Sequence, residues 1–403
     1  MTSRTVLISG AGIAGQTLAH WLSRHGLRPT VVERAGTQRS SGSPVDVRGR
    51  AVEVAERMGI MLKLREASTD VTDLRFVNAS GKRVGRVNVR AVRRASGSRE
   101  VEIPRGDLAA ILHEASRDHA EFLYGDSIAT LSQDEHGVDV TFTHAAPRRF
   151  DLVIGADGLH SQVRRLAFGP ESGFVRHMGM YVATTSLDTP ADNQRDVVLH
   201  NTPGRLVSVH PSRGRALAFF VFRSPAVPGF DHRDSSQHKR LLTEAFAGGG
   251  WQVPELLGRV RAADDLFFDS VSQVRLDHWS HGRVALLGDA ASCVSLFGDG
   301  STLAMAGADT LAAALAATPG DHRSAFRHYE AAHRELVGPK QRGIGRAAAL
   351  IVPATRPGIL ARDLGSRLWP LAAAGGWLGQ RLPGAGNATG REIVHARSTS
   401  PTT

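Results

Sequence analysis

The chain has 403 residues, 41% of them hydrophobic, which is ordinary for a globular protein and enough for about two domains. Its formal net charge is +10, but the arginines are scattered among acidic residues, and the densest basic stretch, 83–94, has no aromatic side chains on which bases would stack. We therefore expect no nucleic-acid partner. The one cysteine, Cys293, excludes an internal disulfide and a zinc site made of cysteines, and no apolar run approaches the roughly 18 residues of a membrane span.

The N-terminal segment alternates between strand and helix patterns. Thr5–Ser9 reads as a buried strand, Ala14–His25 as a helix that Gly26 ends, and Thr30–Val32 as a second strand. Such alternation is typical of a parallel sheet covered by helices. Because a cleavable leader would remove the first strand, we expect the protein to be cytoplasmic.

Two later segments are rich in strand patterns instead, and alternation resumes at Val284–Leu287. The first lies within 71–101 and the second within 181–222. We therefore predict an α/β fold in which a discontinuous Rossmann-like dinucleotide-binding domain carries an inserted antiparallel-sheet domain. The predicted parts are 1–72, 100–170 and 272–335 for the first domain, 73–99 and 171–271 for the second, C-terminal helices over 336–390, and a disordered tail over 391–403.

The first turn carries the pattern G-x-G-x-x-G between a predicted strand and a predicted helix. Gly10 allows the tight turn, Gly12 lets the backbone approach a pyrophosphate, and Gly15 lets the helix lie close to the strand. The helix N-terminus, at Ile13 and Ala14, would point N–H groups and a partial positive charge at the phosphates. The pattern indicates a dinucleotide but does not separate NAD from FAD.

An acidic residue, Glu33, ends the second predicted strand, close to the expected spacing of roughly 20 residues from the glycine turn. Its carboxylate suits the hydroxyls of an adenosine ribose, and its neighbour Arg34 would contact adenine or remain solvated. Arg105 stands between the first strand-rich segment and a predicted helix, where it would meet an anionic partner or form a surface salt bridge. Asp157 precedes Gly158 at the end of a buried strand pattern, and this pair alone is an ordinary turn as often as a functional one.

A last glycine turn, Gly288 followed by Asp289, ends the strand that begins at Val284. Asp289 would accept hydrogen bonds from a ribitol or ribose hydroxyl. Gly298 and Gly300 precede and open a long predicted helix, and they would let backbone lie against a planar ring. The N-terminus of that helix would stabilise the negative charge of a reduced flavin.

These motifs, in this order, resemble the FAD-dependent aromatic hydroxylases related to p-hydroxybenzoate hydroxylase over most of residues 1–330. Within that family the chain looks closest to the tetracycline-inactivating type and to actinobacterial antibiotic-pathway monooxygenases. The resemblance implies FAD as cofactor in the Rossmann-like domain. It implies that Glu33 holds the adenosine ribose of FAD, and that Arg105 and Asp289 hold its ribitol and pyrophosphate region. It also implies that Asp157 serves FAD and, indirectly, the nicotinamide cofactor.

The resemblance extends to the loop from Arg39 to Asp46. It implies that Arg39 binds NADPH or NADH and that Asp46 binds the flavin, with Arg48 as a further candidate; a solvated loop is the alternative. The chain departs from the family where Ser292 replaces a histidine and where no proline precedes Gly298. Both departures bear on how the flavin ring moves between positions.

The family resemblance implies that NAD(P)H reduces FAD, that O2 forms a flavin C4a-hydroperoxide, and that one oxygen atom enters an aromatic or polyketide-like small molecule. The cofactor performs this chemistry, so we predict no catalytic side chain and no metal. His200, His210, Phe220 and Phe222 on the inserted sheet are candidates for the substrate pocket, with ordinary strand and core positions as the alternative. A halogenase, an NAD-dependent dehydrogenase and a flavoprotein that binds a reactive intermediate without turnover are the rival interpretations.

Overall fold

The computed structural model describes residues 4–36, 44–95, 99–212, 215–294 and 299–365. The strands are β1 (Thr5–Ser9), β2 (Arg28–Glu33), β3 (Val45–Val47), β4 (Asp73–Val77), β5 (Arg83–Asn88), β6 (Val101–Ile103), β7 (Glu121–Tyr124), β8 (Ile128–Gln133), β9 (Val138–Phe142), β10 (Arg148–Phe150), β11 (Leu152–Gly155), β12 (Val175–Leu187), β13 (Asp196–Thr202), β14 (Arg205–Ser212), β15 (Arg215–Arg223), β16 (Phe267–Val274), β17 (Ser280–His281) and β18 (Val284–Leu286). The helices are α1 (Ile13–Arg24), α2 (Arg50–Arg57), α3 (Met61–Glu66), α4 (Val89–Ala95), α5 (Arg105–Ser116), α6 (Gln162–Ala167), α7 (Ser235–Phe246), α8 (Val253–Ala262), α9 (Asp289–Ser292), α10 (Gly300–Ala317) and α11 (His322–Ile351).

A six-stranded sheet in the order β17-β18-β11-β1-β2-β7 forms the first layer. All neighbours except β17 and β18 run parallel. The strands β1, β11 and β18 are almost completely buried because α1 and β10 contact β1, and α6 contacts β11 and β18, which explains their uninterrupted apolar sequences. Parallel strands bring their carboxyl ends to one edge, which is where ligands bind in sheets of this type.

A seven-stranded sheet in the order β16-β12-β15-β14-β13-β4-β5 forms the second layer. Its neighbours are antiparallel except for β13 and β4, which run parallel and so join the hairpin β4–β5 to the later strands. One face is covered by α7 and α8, and the other contacts the C-terminal end of α11 through Ala348 and Val352. The sheet therefore has one face closed by its own helices and one face turned towards the rest of the molecule.

The helix α11 links the two sheets. Its Tyr329 hydroxyl donates to the Leu286 carbonyl at the end of β18 (3.1 Å), and Gln341 exchanges hydrogen bonds with β16. Near the helix end, Arg223 of β15 donates to the carbonyl of Val352 (2.8 Å). The helix runs without interruption across position 336, where we placed a boundary between parts of the chain.

The predicted α/β fold with an inserted antiparallel sheet is confirmed. The small three-stranded sheet of β8, β9 and β10 was not predicted; β8 and β10 are largely exposed, whereas β9 alternates between buried and less buried residues. Residues 366–403, which include the predicted tail and the end of the predicted C-terminal helices, lie outside the described residues. Within the part of the chain that the structure describes, no helix is long and apolar enough to cross a membrane.

Candidate cofactor and substrate site

Three turns that are far apart in sequence meet at the carboxyl edge of the six-stranded sheet. The strands β1, β11 and β18 are direct neighbours, so the turns after Ser9, Gly155 and Leu286 emerge side by side. Gly10 has a φ of 102°, and a Cβ at this position would lie 2.6 Å from the Ala156 carbonyl oxygen. The glycine turn therefore lies directly against the segment that leads to Asp157.

The turn after β18 lies equally close to the glycine turn. Gly288 has a φ of 64°, and a Cβ there would lie 3.1 Å from the Cβ of Ala14 in the first turn of α1. The three motifs therefore form one site and not three separate turns.

The glycine turn has free space beside the backbone at one of its glycines and close contact with other backbone atoms at another. A Cβ at Gly15 would lie 1.9 Å from the carbonyl oxygen of Gly10, so only glycine allows α1 to approach β1 this closely. Gly12 is the N-cap of α1 and has no described heavy atom within 4 Å of a Cβ built on it. The first turn of α1 contains no acidic residue, so no side chain of the helix itself neutralises its partial positive charge. This combination suits an anion that approaches the backbone at Gly12.

Glu33 lies at the end of β2 and faces the glycine turn. Its carboxylate accepts hydrogen bonds from the backbone N–H groups of Ala11 (2.9 Å) and Ala35 (2.8 Å). A carboxylate has about four acceptor positions, so two remain for hydroxyl donors. Arg34 is exposed beside it.

The N-terminus of α10 contacts the short strand β3 through two hydroxyls. Ser301 Oγ donates to the carbonyl of Asp46 (2.6 Å), and Thr302 Oγ1 donates to the same oxygen (3.2 Å). Gly300, which opens α10, has no described heavy atom within 4 Å of a Cβ position. Asp46 is therefore held at the positive end of a long helix, next to open space.

Arg48 and Lys340 both contact the buried carboxylate of Asp299, which precedes α10. Arg48 donates through Nε (3.1 Å) and Nη2 (2.8 Å), and Lys340 Nζ lies 3.2 Å from the second oxygen. The Arg48 guanidinium also lies 3.8 Å from Asp46. Asp46 and Arg48 are thus brought together at α10, whereas Arg39 and Gly298 lie outside the described residues.

Asp289 and Arg105, which the sequence separates widely, interact electrostatically. Burial raises the pKa of Asp289, and the positive charge of Arg105 and a hydrogen bond with the Cys293 thiol oppose this rise. Arg105 itself is exposed at the start of α5. The two residues are therefore near enough in the folded protein for their charges to interact.

The carboxylate of Asp157 is bound within the protein. It accepts hydrogen bonds from the Ser161 hydroxyl (2.5 Å), from the backbone N–H groups of Gln162 (2.9 Å) and Val163 (3.1 Å), and from the Ser9 hydroxyl (3.3 Å). These contacts cap α6 and connect it to β1. A direct contact of Asp157 with a cofactor stays a prediction.

Three of the four predicted substrate residues lie on the covered face of the seven-stranded sheet. Phe220 and Phe222 belong to the apolar cluster under α7 and α8, with exposed fractions of 0% and 5%. His200 is also buried, with its ring centroid 6.0 Å from that of Trp251 on the same side. Alternation along each strand turns these three residues towards the sheet's own helices, and a contact between any of them and the substrate stays a prediction.

His210 lies on the opposite face, which contacts the end of α11; we call it the free face because α7 and α8 do not cover it. Its Nε2 lies 3.0 Å from the hydroxyl of Ser208, and its ring makes an edge contact with Phe219. Burial lowers the pKa of His210 to about 4, although Glu102 of β6 opposes this shift. His210 is therefore neutral at physiological pH.

Sequence reasoning missed two residues that support the site. Arg164 of α6 is completely buried and donates from Nη1 to the carbonyl of Ala290 (3.0 Å), directly after Asp289. His160, in the loop before α6, bridges two carboxylates. Their position just after Asp157 was the available signal, but their partners are remote in sequence.

Comparison with known proteins agrees with this geometry. The family model described as an FAD binding domain matches residues 3–337. A flavin-dependent monooxygenase of Legionella longbeachae is 34% identical over 347 residues, which cover 84% of this chain and 87% of the relative. The chain belongs to the family of FAD-dependent monooxygenases.

Two further similarities extend this assignment. An uncharacterized protein of Mycobacterium tuberculosis is 39% identical over 342 residues, covering 84% of this chain and 92% of that protein. The crystal structure of tetracycline destructase Tet(51) superimposes with a TM-score of 0.80 at 29% identity, covering 96% of this chain and all of the other. The resemblance inferred from the motifs is confirmed.

The residues around the glycine turn, Glu33, the Asp289 turn and the N-terminus of α10, which we call the cofactor crevice, fit FAD. The open backbone at Gly12 leaves room for a pyrophosphate, and the turn at Gly288 lies against the same helix end. The remaining acceptor positions of Glu33 suit ribose hydroxyls, and the N-terminus of α10 provides a second positive helix end beside Asp46.

Proposed function

We propose that this enzyme is an NAD(P)H-dependent monooxygenase that inserts one O2-derived oxygen atom into an aromatic or polyketide-like small molecule. The observation that carries the proposal is the convergence of the glycine turn, the Asp157 turn and the Asp289 turn at one edge of a sheet. Bound FAD would supply the redox chemistry by accepting a hydride from NAD(P)H and activating O2. The chain supplies binding, orientation and exclusion of water.

The cofactor would be held from both ends of the crevice. The N-terminus of α1 would take the pyrophosphate at Gly12, and Glu33 would take the adenosine ribose, with Arg34 near the adenine. At the other end, Asp289 and Arg105 would hold the ribitol region. The N-terminus of α10 at Gly300 would favour negative charge on the reduced ring.

The nicotinamide cofactor would bind at the loop that precedes β3. We assign this role to Arg39, with Arg48 beside the flavin and Asp157 acting through the loop it holds. Arg48 already neutralises Asp299, so its contribution to an incoming anion would be smaller than that of an arginine without such a partner. A comparison of the affinities for NADPH and NADH in the wild type and in Arg39→Ala tests this assignment.

The substrate would lie against the free face of the seven-stranded sheet. There the neutral imidazole of His210 and the hydroxyl of Ser208 stand beside the ring of Phe219. An aromatic face next to uncharged hydrogen-bonding groups suits a planar molecule with phenolic or enolic hydroxyls. Tetracyclines, the compounds named for the similar solved structure, belong in the first set to be tested.

The proposal is tested by measuring substrate-stimulated NAD(P)H oxidation against a panel of aromatic polyketides, with products analysed by mass spectrometry under ¹⁸O2. We expect FAD in the purified protein, stimulated oxidation, and a product that gains one ¹⁸O atom. A dehydrogenase would oxidise or reduce its substrate without incorporating ¹⁸O. A halogenase would require halide, and a carrier flavoprotein would show no stimulation.

A pair of variants on opposite faces of the same sheet tests the substrate side. His210→Gln should raise the KM of the substrate by roughly tenfold, the value of one lost hydrogen bond of about 1.4 kcal/mol. His200→Gln, on the covered face, should leave KM unchanged, and both variants should keep the FAD affinity of the wild type. Equal effects of the two variants on KM would contradict the assignment of the free face to the substrate.

A further inference from the structure

A group of ionisable side chains joins the two sheets outside the cofactor crevice. His160 Nδ1 lies 2.9 Å from Glu171, and its Nε2 lies 3.1 Å from Asp269. The ring of His232 stacks on that of His160, with the centroids 3.8 Å apart and the planes 8° from parallel. We call these four residues the His160 cluster.

The His160 cluster is built from separate parts of the fold. His160 belongs to the loop between β11 and α6, and Glu171 to the one-turn 3-10 helix after α6. Asp269 belongs to β16, the edge strand of the seven-stranded sheet, and His232 to the segment between β15 and α7. The cluster therefore connects the cofactor side of the molecule to the second sheet.

The cluster also reaches the turn that carries Asp289. Glu171 lies 3.3 Å from Arg164, and the same guanidinium donates to the carbonyl of Ala290 (3.0 Å). A second connection runs from the other end of β16, where Gln273 forms an antiparallel bridge with Val294. The strand β16 is thus attached at two points to the segment 289–294.

His160 is charged at physiological pH. Burial opposes the charge, but the hydrogen bonds to Asp269 and Glu171 outweigh it and raise the pKa of His160 to about 9. Burial and then the charge of His160 lower the pKa of His232, so the stacked partner is neutral. A cation between two carboxylates and above an aromatic ring is a geometry that holds all four groups in place.

We propose that His160 is a positioning residue that fixes the seven-stranded sheet to the Asp289 turn and thereby keeps the reacting centre closed to water. This inference rests on the proposed monooxygenase function only for its effect on turnover. Water that enters such a site diverts reduced cofactor and O2 to H2O2 and so separates NAD(P)H oxidation from product formation. If His160 connects these parts of the fold, β16 and the segment 289–294 should open to solvent together.

The stabilising contribution of the His160 cluster should be lost as the pH rises, because it depends on the positive charge of His160. The pKa of His160 is raised, so the contribution of His160 is complete below its ordinary value of 6.5 and is lost as the pH rises through about 9. The pKa of Glu171 is lowered, so its contribution is lost only in acid. The charges of Arg164, Arg233 and Asp289 also act on members of the cluster, and burial lowers the pKa of Arg164 from its ordinary value.

The variant His160→Gln removes the charge and keeps a hydrogen-bonding side chain. Its matched control is His136→Gln, in the exposed turn between β8 and β9. Hydrogen exchange is measured on the FAD-loaded proteins at pH 7.5 without turnover. We expect exchange in 267–274 and 289–294 to accelerate together by roughly three- to tenfold in His160→Gln, which lies within the range for loss of one member of a connected network, and to stay unchanged in the control.

Turnover gives an independent readout. Wild-type product formed per NAD(P)H oxidised should fall as the pH rises through about 9, and His160→Gln should show a lower ratio without this fall. Asp269→Asn should behave like His160→Gln, and it replaces that variant if the glutamine protein does not fold. Unchanged exchange in both segments, or acceleration in only one, overturns the proposal whether or not the protein hydroxylates a substrate. A change confined to the KM of NAD(P)H also overturns it.

Discussion

Replacing two glycines of the same turn by alanine should separate folding from cofactor binding. At Gly15 the added Cβ would lie 1.9 Å from a backbone oxygen of Gly10. At Gly12 it would meet no described heavy atom within 4 Å, and the backbone there has a φ of −78°, which alanine adopts without strain. The two variants therefore add the same methyl group to one turn, at a position without space in Gly15→Ala and at a position with space in Gly12→Ala.

The expected magnitudes differ in both properties. In Gly15→Ala, the helix must move by about 1 Å or more, and overpacking of this kind costs about 1–3 kcal/mol, so the helix propensity of alanine, about 1 kcal/mol, does not compensate fully. In Gly12→Ala, the free energy of unfolding should change by less than about 0.5 kcal/mol. The methyl group would instead displace the pyrophosphate and weaken one charge-assisted hydrogen bond, lowering FAD affinity roughly 10- to 100-fold.

The measurements are urea unfolding of the FAD-free proteins and fluorescence titration with FAD. Gly258→Ala serves as the control, because this glycine lies in α8 and a Cβ there also has no described neighbour within 4 Å. It should leave FAD affinity unchanged. The reasoning is refuted if Gly12→Ala binds FAD as tightly as the wild type, or if Gly15→Ala is as stable as Gly258→Ala.

Two further predictions concern stability. Asp299→Asn leaves Arg48 and Lys340 facing a neutral amide. Because both cations are partly exposed, the free energy of unfolding in urea should fall by only about 1–2 kcal/mol. An unchanged unfolding midpoint would contradict the role of this carboxylate. Burial lowers the pKa of His333 to about 4, so the folded protein holds this ring in its neutral form. The free energy of unfolding therefore falls as the pH falls below 6.5, where the ring of the unfolded chain takes up a proton. His333→Phe should therefore reduce the difference in unfolding free energy between pH 7.5 and 5 by about 2 kcal/mol, whereas an equal difference in both proteins would exclude His333 as the titrating group.

Local sequence patterns were sufficient to predict which turns meet at one edge of the six-stranded sheet. The glycine turn, the acidic end of β2 and the two later turns each follow a buried strand, and strands of this type run parallel. Parallel neighbours carry their following turns to one edge, so the meeting of Gly10 and Gly288 at the same helix followed from sequence order and strand type. The contact between Asp157 and Ser9 did not follow from the sequence, because these residues are far apart in the chain and meet only when β1 and β11 pair.

The substrate side depended on tertiary structure. Alternation along β15 assigns Phe219 and Phe220 to opposite faces, but nothing in the strand itself tells which face α7 and α8 will cover. That choice is made by packing over the whole sheet, which buries Phe220 completely and leaves His210 and Phe219 on the free face. The partners of His160 were equally hidden, because a carboxylate on β16 becomes its neighbour only when two sheets are brought together.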